Sequence, residues 1–277
     1  MISNGGIFGA SGAGGFLDAG LYSASNDGRG AWATNNTMNK RATVSYWYKN
    51  NYANSSYGTM FWGHYHGGQD HTACILGTDG CLYYYVKYNN GHYHNVKSSA
   101  LASAKLTHNV WHHYCMIAGS STVKHYIDGD EVLSRSASDY TDIFSKYWGY
   151  HSSWNSSISN LTGSPSFTMK GVTYLAQHAV VTGASPGTIS EFINSDGTPI
   201  DFLDIDGNGT DLDTTRASPE NASELNGIWM FGANGTTSST SHNSATDGSS
   251  NSNWNVHSGF ALSTDGSAFP VTAVNTA

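Results

Sequence analysis

The chain has 277 residues, enough for one large β domain with a sizeable core. Its formal charge of −8 sets 12 scattered Lys and Arg against 20 Asp and Glu, which excludes a nucleic-acid partner, because phosphate binding draws on clustered cations. Charged residues are only 12% of the chain, so Asn, Ser, Thr and Gly must supply solubility while the 13% of aromatic residues supply core; no apolar run is long enough to insert in a membrane.

The chain opens on MISNGGIFGASGAGGFLDAG. Residues 1–20 have too few bulky side chains to hold a strand pair alone, and they read as a Gly-rich arm on a neighbouring subunit or a flexible leader. No basic-plus-apolar signal follows Met1, so the chain is expected to be made without cleavage. Residues 21–277 are expected to form a single domain.

Ala42 to Tyr48 alternates cleanly and reads as a strand, and Thr59 to Trp62 as a short buried one. His64-Tyr65-His66 and His92-Tyr93-His94 would each set two imidazoles on one strand face. Together they could hold zinc or nickel, but only with convergent geometry, and scattered surface or hydrogen-bonded histidines fit the same spacing. Thr72 to Leu76 and Leu82 to Tyr88 flank a turn at Thr78-Asp79-Gly80. Cys74, Cys81 and Cys115 lack metal spacing and read as free, buried thiols.

The run NVWHHYCMIAGSSTVKHYIDGDEV, from Asn109 to Val132, predicts a strand over Trp111–Ala118 and a turn at Gly119-Ser120-Ser121. A second strand ends at Asp128-Gly129, a dipeptide that tolerates the positive φ of a tight hairpin, and a third starts at Glu131-Val132. After Tyr147-Trp148, residues 150–165 read as a polar loop. There Tyr150, His151 and Trp154 could stack on the apolar face of a sugar, while Asn and Ser reach its hydroxyls; equally, Trp154 could pin the loop or form a subunit contact. Val172 to Val181 predicts a further strand, and Ser185 to Asn194 one short helix with Ile189, Phe192 and Ile193 on a shared face.

The segment from Asp204 to Asp213 places Asp204, Asp206 and Asn208 at first, third and fifth positions, with Gly209 at the sixth and Thr210 and Asp213 beyond. Oxygen ligands at that spacing predict a calcium loop, although an EF-hand would carry Glu at the twelfth position, where this chain has Thr215. A solvated Asp/Asn/Gly turn accounts for the segment equally well. A long Gly/Ser/Asn-rich loop is expected near 232–253, before Trp254 to Phe260. Many short strands with such turns make the fold class all-β, a sandwich or jelly roll with at most one short helix.

VWHHYCMIAGSSTVKHYIDGDEV resembles the Trp-His-His strand and Tyr-Ile-Asp-Gly hairpin of the laminin-G-like members of the concanavalin A-like lectin and glucanase fold. With RATVSYWYKN before it and GVTYLAQHAVVTGASPGTISEFINSDGTPI and GIWMFGANG after it, the order is similar to the laminin-G-like domains of tail-fibre and other virion proteins of marine phages. The resemblance covers roughly residues 20 to 235. It implies two curved antiparallel sheets with binding loops along their rims, and packing roles for His112 and His113.

Glycosidases of this fold carry acidic residues at alternate positions on a strand face, as acid and nucleophile. The glutamates here are Glu131, Glu191, Glu220 and Glu224, none so arrayed, and Asp201, Asp204 and Asp206 fall in a Gly-rich segment. The chain is therefore expected to be no enzyme, and the resemblance implies a virion surface protein of tail fibre, spike or head decoration. Its expected partners are other virion structural proteins, a host cell-surface glycan and further copies of itself as a homo-oligomer, with calcium as the candidate ion. A cellular carbohydrate-binding lectin is the alternative, and a glycoside hydrolase the remote one.

Overall fold

The computed structural model describes residues 14–15, 20–22, 29–33, 42–66, 70–87, 93–119, 121–136, 147–149, 168–182, 188–199, 225–229, 253–258, 261–263 and 271–272. The strands in chain order are β1 (Gly14–Gly15), β2 (Gly20–Tyr22), β3 (Arg29–Ala33), β4 (Ala42–Lys49), β5 (Gly58–His66), β6 (Asp70–Leu76), β7 (Cys81–Lys87), β8 (Tyr93–Ala100) and β9 (Trp111–Ala118). They continue with β10 (Thr122–Ile127), β11 (Asp130–Ser136), β12 (Tyr147–Gly149), β13 (Met169–Gly171), β14 (Tyr174–Thr182), β15 (Leu225–Trp229), β16 (Asn253–Ser258), β17 (Ala261–Ser263) and β18 (Val271–Thr272).

One sheet runs β11-β10-β9-β4-β14-β2-β17, with β15 following β2 along the same side of β14. The other runs β16-β3-β12-β5-β6-β7-β8, with β13 beside β5. All pairings are antiparallel except β13 with β5. Gly14–Gly15, within the expected arm, pairs with Val271–Thr272 of the same chain.

Alternation along each strand builds the core between the sheets. Val44, Tyr46 and Tyr48 of β4, Tyr114 and Met116 of β9, and Val123 and Ile127 of β10 meet Phe61, Trp62, Cys74, Leu82 and Tyr84 of the facing sheet. Phe61 and Tyr114 stack with centroids 4.5 Å apart, and Trp62 Nε1 donates to Tyr114 Oη at 2.9 Å. Each large apolar side chain so buried contributes about 1.5–3 kcal/mol. All eight residues of β9 are buried. Its second face is covered because Trp47, Trp111, Ala176 and Ile193 form a separate cluster on the far side of the sheet, joined by the half-buried Tyr174 and Ile189. With both faces covered, β9 carries bulky residues on each, Trp111 and Ile117 on one and Tyr114 and Met116 on the other.

The helix expected over Ser185 to Asn194 is replaced by a 3-10 turn at Ile189–Glu191. Glu191 Oε1 accepts from both N and Oγ1 of Thr188 at 3.1 Å and so closes a single turn. The turn-formers Asn194 to Gly197 then stop propagation, and Ile193 bridges Pro199 as an isolated β pair. The expected face is still buried through Phe192 and Ile193. A second 3-10 turn spans Ser103–Leu106; no α-helix occurs among the described residues.

The turn between β6 and β7 requires Gly80, whose φ is +75° and whose added Cβ would lie 3.0 Å from Leu106 Cδ1. Gly80→Ala is therefore expected to destabilise the fold by at least about 1–2 kcal/mol from backbone strain alone, read as a lower urea midpoint with unchanged slope.

Candidate functional site

The hairpin joining β10 to β11 turns on Asp128 and Gly129, with φ of +55° and +83°. Two consecutive left-handed residues match the right-handed twist of the flanking strands, and Asp and Gly tolerate that conformation best. Asp128 is also braced from beneath. Its Oδ1 accepts the His113 backbone N–H at 2.9 Å, its Oδ2 lies 2.8 Å from His112 Nδ1, and its own N–H donates to His113 O at 2.9 Å. The other ring nitrogen of His112 reaches Thr107 Oγ1 at 3.0 Å. Lys105 completes the brace, its Nζ donating to Ile127 O at 3.0 Å and pairing with Asp130 Oδ2 at 2.7 Å.

Two further histidines are buried in the sandwich. His113 Nε2 lies 2.7 Å from Ser45 Oγ, and the ring packs against Trp47 at 5.1 Å. His125 Nδ1 lies 3.1 Å from Tyr114 Oη and 3.7 Å from Cys74 Sγ. Burial removes the hydration an imidazolium needs, so both rings are held neutral, their pKa pushed down to about 3. Burial also pushes the Cys74 and Cys115 thiols well up, and all three cysteines are free and buried. His112 and His113 thus hold structure, the role implied by the family resemblance.

Above this brace lies a cleft of about 430 Å³. One wall is the hairpin, Asp128 to Asp130; the other is Ile189, Ser190, Ile193 and the turn from Asn194 to Gly197. The second wall is tied to itself. Asp196 Oδ1 accepts from Thr198 N at 3.0 Å and Thr198 Oγ1 at 2.6 Å, bonds that also hold its carboxyl below the usual range. Asn194 Nδ2 donates to Thr198 Oγ1 at 3.1 Å and Pro199 O at 2.9 Å. The cleft offers a carboxylate, hydroxyls and two aliphatic side chains, an inventory suited to binding a small polar ligand. Asp128 is unsuited to nucleophilic or acid–base work, since both its oxygens are engaged and its side chain is 1% exposed.

The sugar-stacking residues Tyr150, His151 and Trp154 lie outside the described residues, directly after β12, whose Trp148 pairs in register with Trp62 of β5. Asp204, Asp206, Asn208, Thr210 and Asp213 lie outside them as well, as do residues 232–252. His64 and His66 fall in β5 and His94 in β8, while His92 is outside the described residues. Register places His64, Thr72, Val86 and His94 in one row across four strands. At about 4.8 Å per strand, that row sets His64 and His94 roughly 14 Å apart across the sheet. Among the described residues no group of three or more His, Cys, Asp or Glu could hold a metal. The cleft residues Asp130, Ser190 and Ser195 escaped the sequence reading. Their only local signals are two turn motifs, Asp128-Gly129-Asp130 and Asn194-Ser195-Asp196-Gly197, far apart in the chain.

The family model Laminin_G_3, described as concanavalin A-like lectin/glucanases superfamily, matches residues 24–164, more than half of the chain. The chain belongs to the concanavalin A-like lectin/glucanase superfamily. Among solved structures, this superfamily member is similar to a candidate carbohydrate binding protein of Bacteroides ovatus ATCC 8483, at 13% identity and a TM-score of 0.50 over 94% of this chain. It spans 62% of that protein's length. It is also similar to a heptameric SAP-like pentraxin from Limulus polyphemus, at 12% identity and a TM-score of 0.39 over 62% of this chain and 77% of that one. The receptor binding domain of botulinum neurotoxin D matches at 15% identity and a TM-score of 0.38, over 49% of this chain and 36% of that one. At such identities the likeness is one of fold alone. No curated protein sequence matches the chain.

Proposed function

We propose that this lectin-superfamily domain is a non-catalytic carbohydrate-recognition module displayed on a virion surface, in a tail fibre, spike or head decoration. The observation that carries the non-catalytic part is the state of Asp128. Both its oxygens brace a hairpin, and the half-buried Glu191 spends one oxygen capping Thr188. Its neighbour Asp130 is paired with Lys105. A glycosidase needs two carboxyl groups facing each other across the scissile bond, one left free to attack or to activate water. Superfamily membership supports carbohydrate as the ligand class. The virion setting is supported by the order of motifs from RATVSYWYKN to GIWMFGANG. Other virion structural proteins and further copies of this chain are the assembly partners that fit that setting, and calcium bound from Asp204 to Asp213 would order a rim loop.

The test is a broad glycan array probed with the purified chain, first in calcium and then in chelator, alongside an assay for reducing sugar released from each bound glycan. Binding without release is expected, weakened by chelator. Release abolished by a carboxylate substitution would instead make the protein a hydrolase. Binding by the free chain, together with its absence from purified virions by mass spectrometry, would favour a cellular lectin.

A further inference from the structure

We infer that the cleft between the β10–β11 hairpin and the 188–199 segment is itself the saccharide site, taking a neutral mono- or disaccharide unit whose hydroxyls meet Asp130 and Ser195 and whose aliphatic face rests on the half-buried Ile189. The inference rests on the carbohydrate reading above and sets the contact apart from the loop of Tyr150, His151 and Trp154.

The cleft volume of about 430 Å³ falls within the range of small-molecule sites and suits one or two sugar rings. Both walls are held open without a ligand. The hairpin is braced by His112, His113 and Lys105, and the opposite turn by the bonds of Asn194 and Asp196 to Thr198. Ile193 is anchored from behind, since it is 4% exposed and packs with Trp47 and Trp111. Preformed walls spare a ligand the ordering cost that weak carbohydrate contacts could not offset.

Asp130 supplies the polar anchor. Its Oδ2 is clamped by Lys105 at 2.7 Å, yet its side chain is 71% exposed, so a fixed carboxylate is presented to solvent in the cleft. A carboxylate accepts from hydroxyl donors, and charge-assisted bonds of this kind are the stronger ones. Ser190 and Ser195 add exposed hydroxyls that donate and accept. The electrostatics disfavour an anion: the cleft lining carries carboxylates and no Lys, Arg or His, and the neighbouring Lys105 ammonium is already engaged twice, whereas the hydroxyls of a neutral sugar can donate to Asp130.

The experiment uses the full chain labelled with ¹⁵N and titrated with methyl glycosides of glucose, galactose, mannose and N-acetylglucosamine and their disaccharides. It is joined to the glycan array repeated with Asp130→Ala and Ser195→Trp. Chemical-shift changes at the Gly129, Ser195 and Gly197 amides are expected. So is binding at least tenfold weaker in Asp130→Ala and Ser195→Trp, with the melting temperature of Ser195→Trp unchanged. Ser195→Trp fills the cleft from an exposed turn, so it decides the matter even if Asp130→Ala loosens the hairpin. Array binding that survives both cleft substitutions while those amides stay silent would overturn the site and leave the carbohydrate reading standing. A wild-type chain that binds no glycan on the array would overturn both.

Discussion

Asp128→Ala is expected to lower the unfolding free energy by about 3 kcal/mol, because it leaves the buried His113 N–H and the His112 ring without their shared acceptor. The loss has a conformational part too. Asp128 sits at φ +55°, where Asp and Asn are tolerated and alanine is not favoured. Asp128→Asn separates the two. Asn keeps the left-handed backbone and an acceptor for His113 N–H, and its amide can face His112 with the ring in its other tautomer. The expected order of urea midpoints at neutral pH is wild type, Asp128→Asn, then Asp128→Ala, with similar slopes. Equal losses in the two variants would mean that the carboxylate charge, and not the hairpin geometry, carries the effect.

Acid is expected to destabilise this fold well above the carboxylate range. His113 and His125 are held neutral by burial, with folded pKa values of about 3 against 6.5 for an exposed imidazole. The unfolded chain therefore binds two protons that the folded chain refuses. Stability rises with pH between about 3 and 6.5, is essentially complete above 7, and falls as pH drops through that window. Each ring contributes about 2 kcal/mol of loss between pH 7 and pH 5, or about 4 kcal/mol together. The facing groups do not offset this: His113 meets Ser45 and Trp47, and His125 meets Tyr114, Cys74 and the Tyr84 ring at 4.8 Å. The carboxyls of Asp79 and Asp196, both held below the usual carboxylate range by their hydrogen bonds, enter only at lower pH. Urea midpoints measured from pH 7 to pH 5 check the slope. His125→Gln should roughly halve it, and a slope unchanged by that substitution would show that His125 takes up no proton on unfolding in this window.

These two effects stand on a hairpin that was legible in the sequence and on contacts that were not. Asp128-Gly129 and Thr78-Asp79-Gly80 announce their turns because the left-handed conformation they adopt depends on the residues themselves. The strands of the core were legible for a similar reason: alternation of bulky and small residues is set by the pleat, so β4, β6, β7, β9 and β10 could be placed from their own residues. The short helix expected there fails over 188–194 because Glu191 caps a single turn and Asn194 to Gly197 end it, although Phe192 and Ile193 are buried as that pattern requires.

What the sequence by itself determined is the all-β class and the main hairpins. Each follows from composition or from the conformational preference of a few neighbouring residues. Only the tertiary structure decided that β9 is covered on both faces, that His64 and His94 stand in one row with two strands between them, and that residues 128–130 and 189–197 close a cleft. Those features join segments tens of residues apart in the chain. They are set by sheet order and by which loop packs on which face, and no pattern of neighbouring residues encodes a contact made that far along the chain.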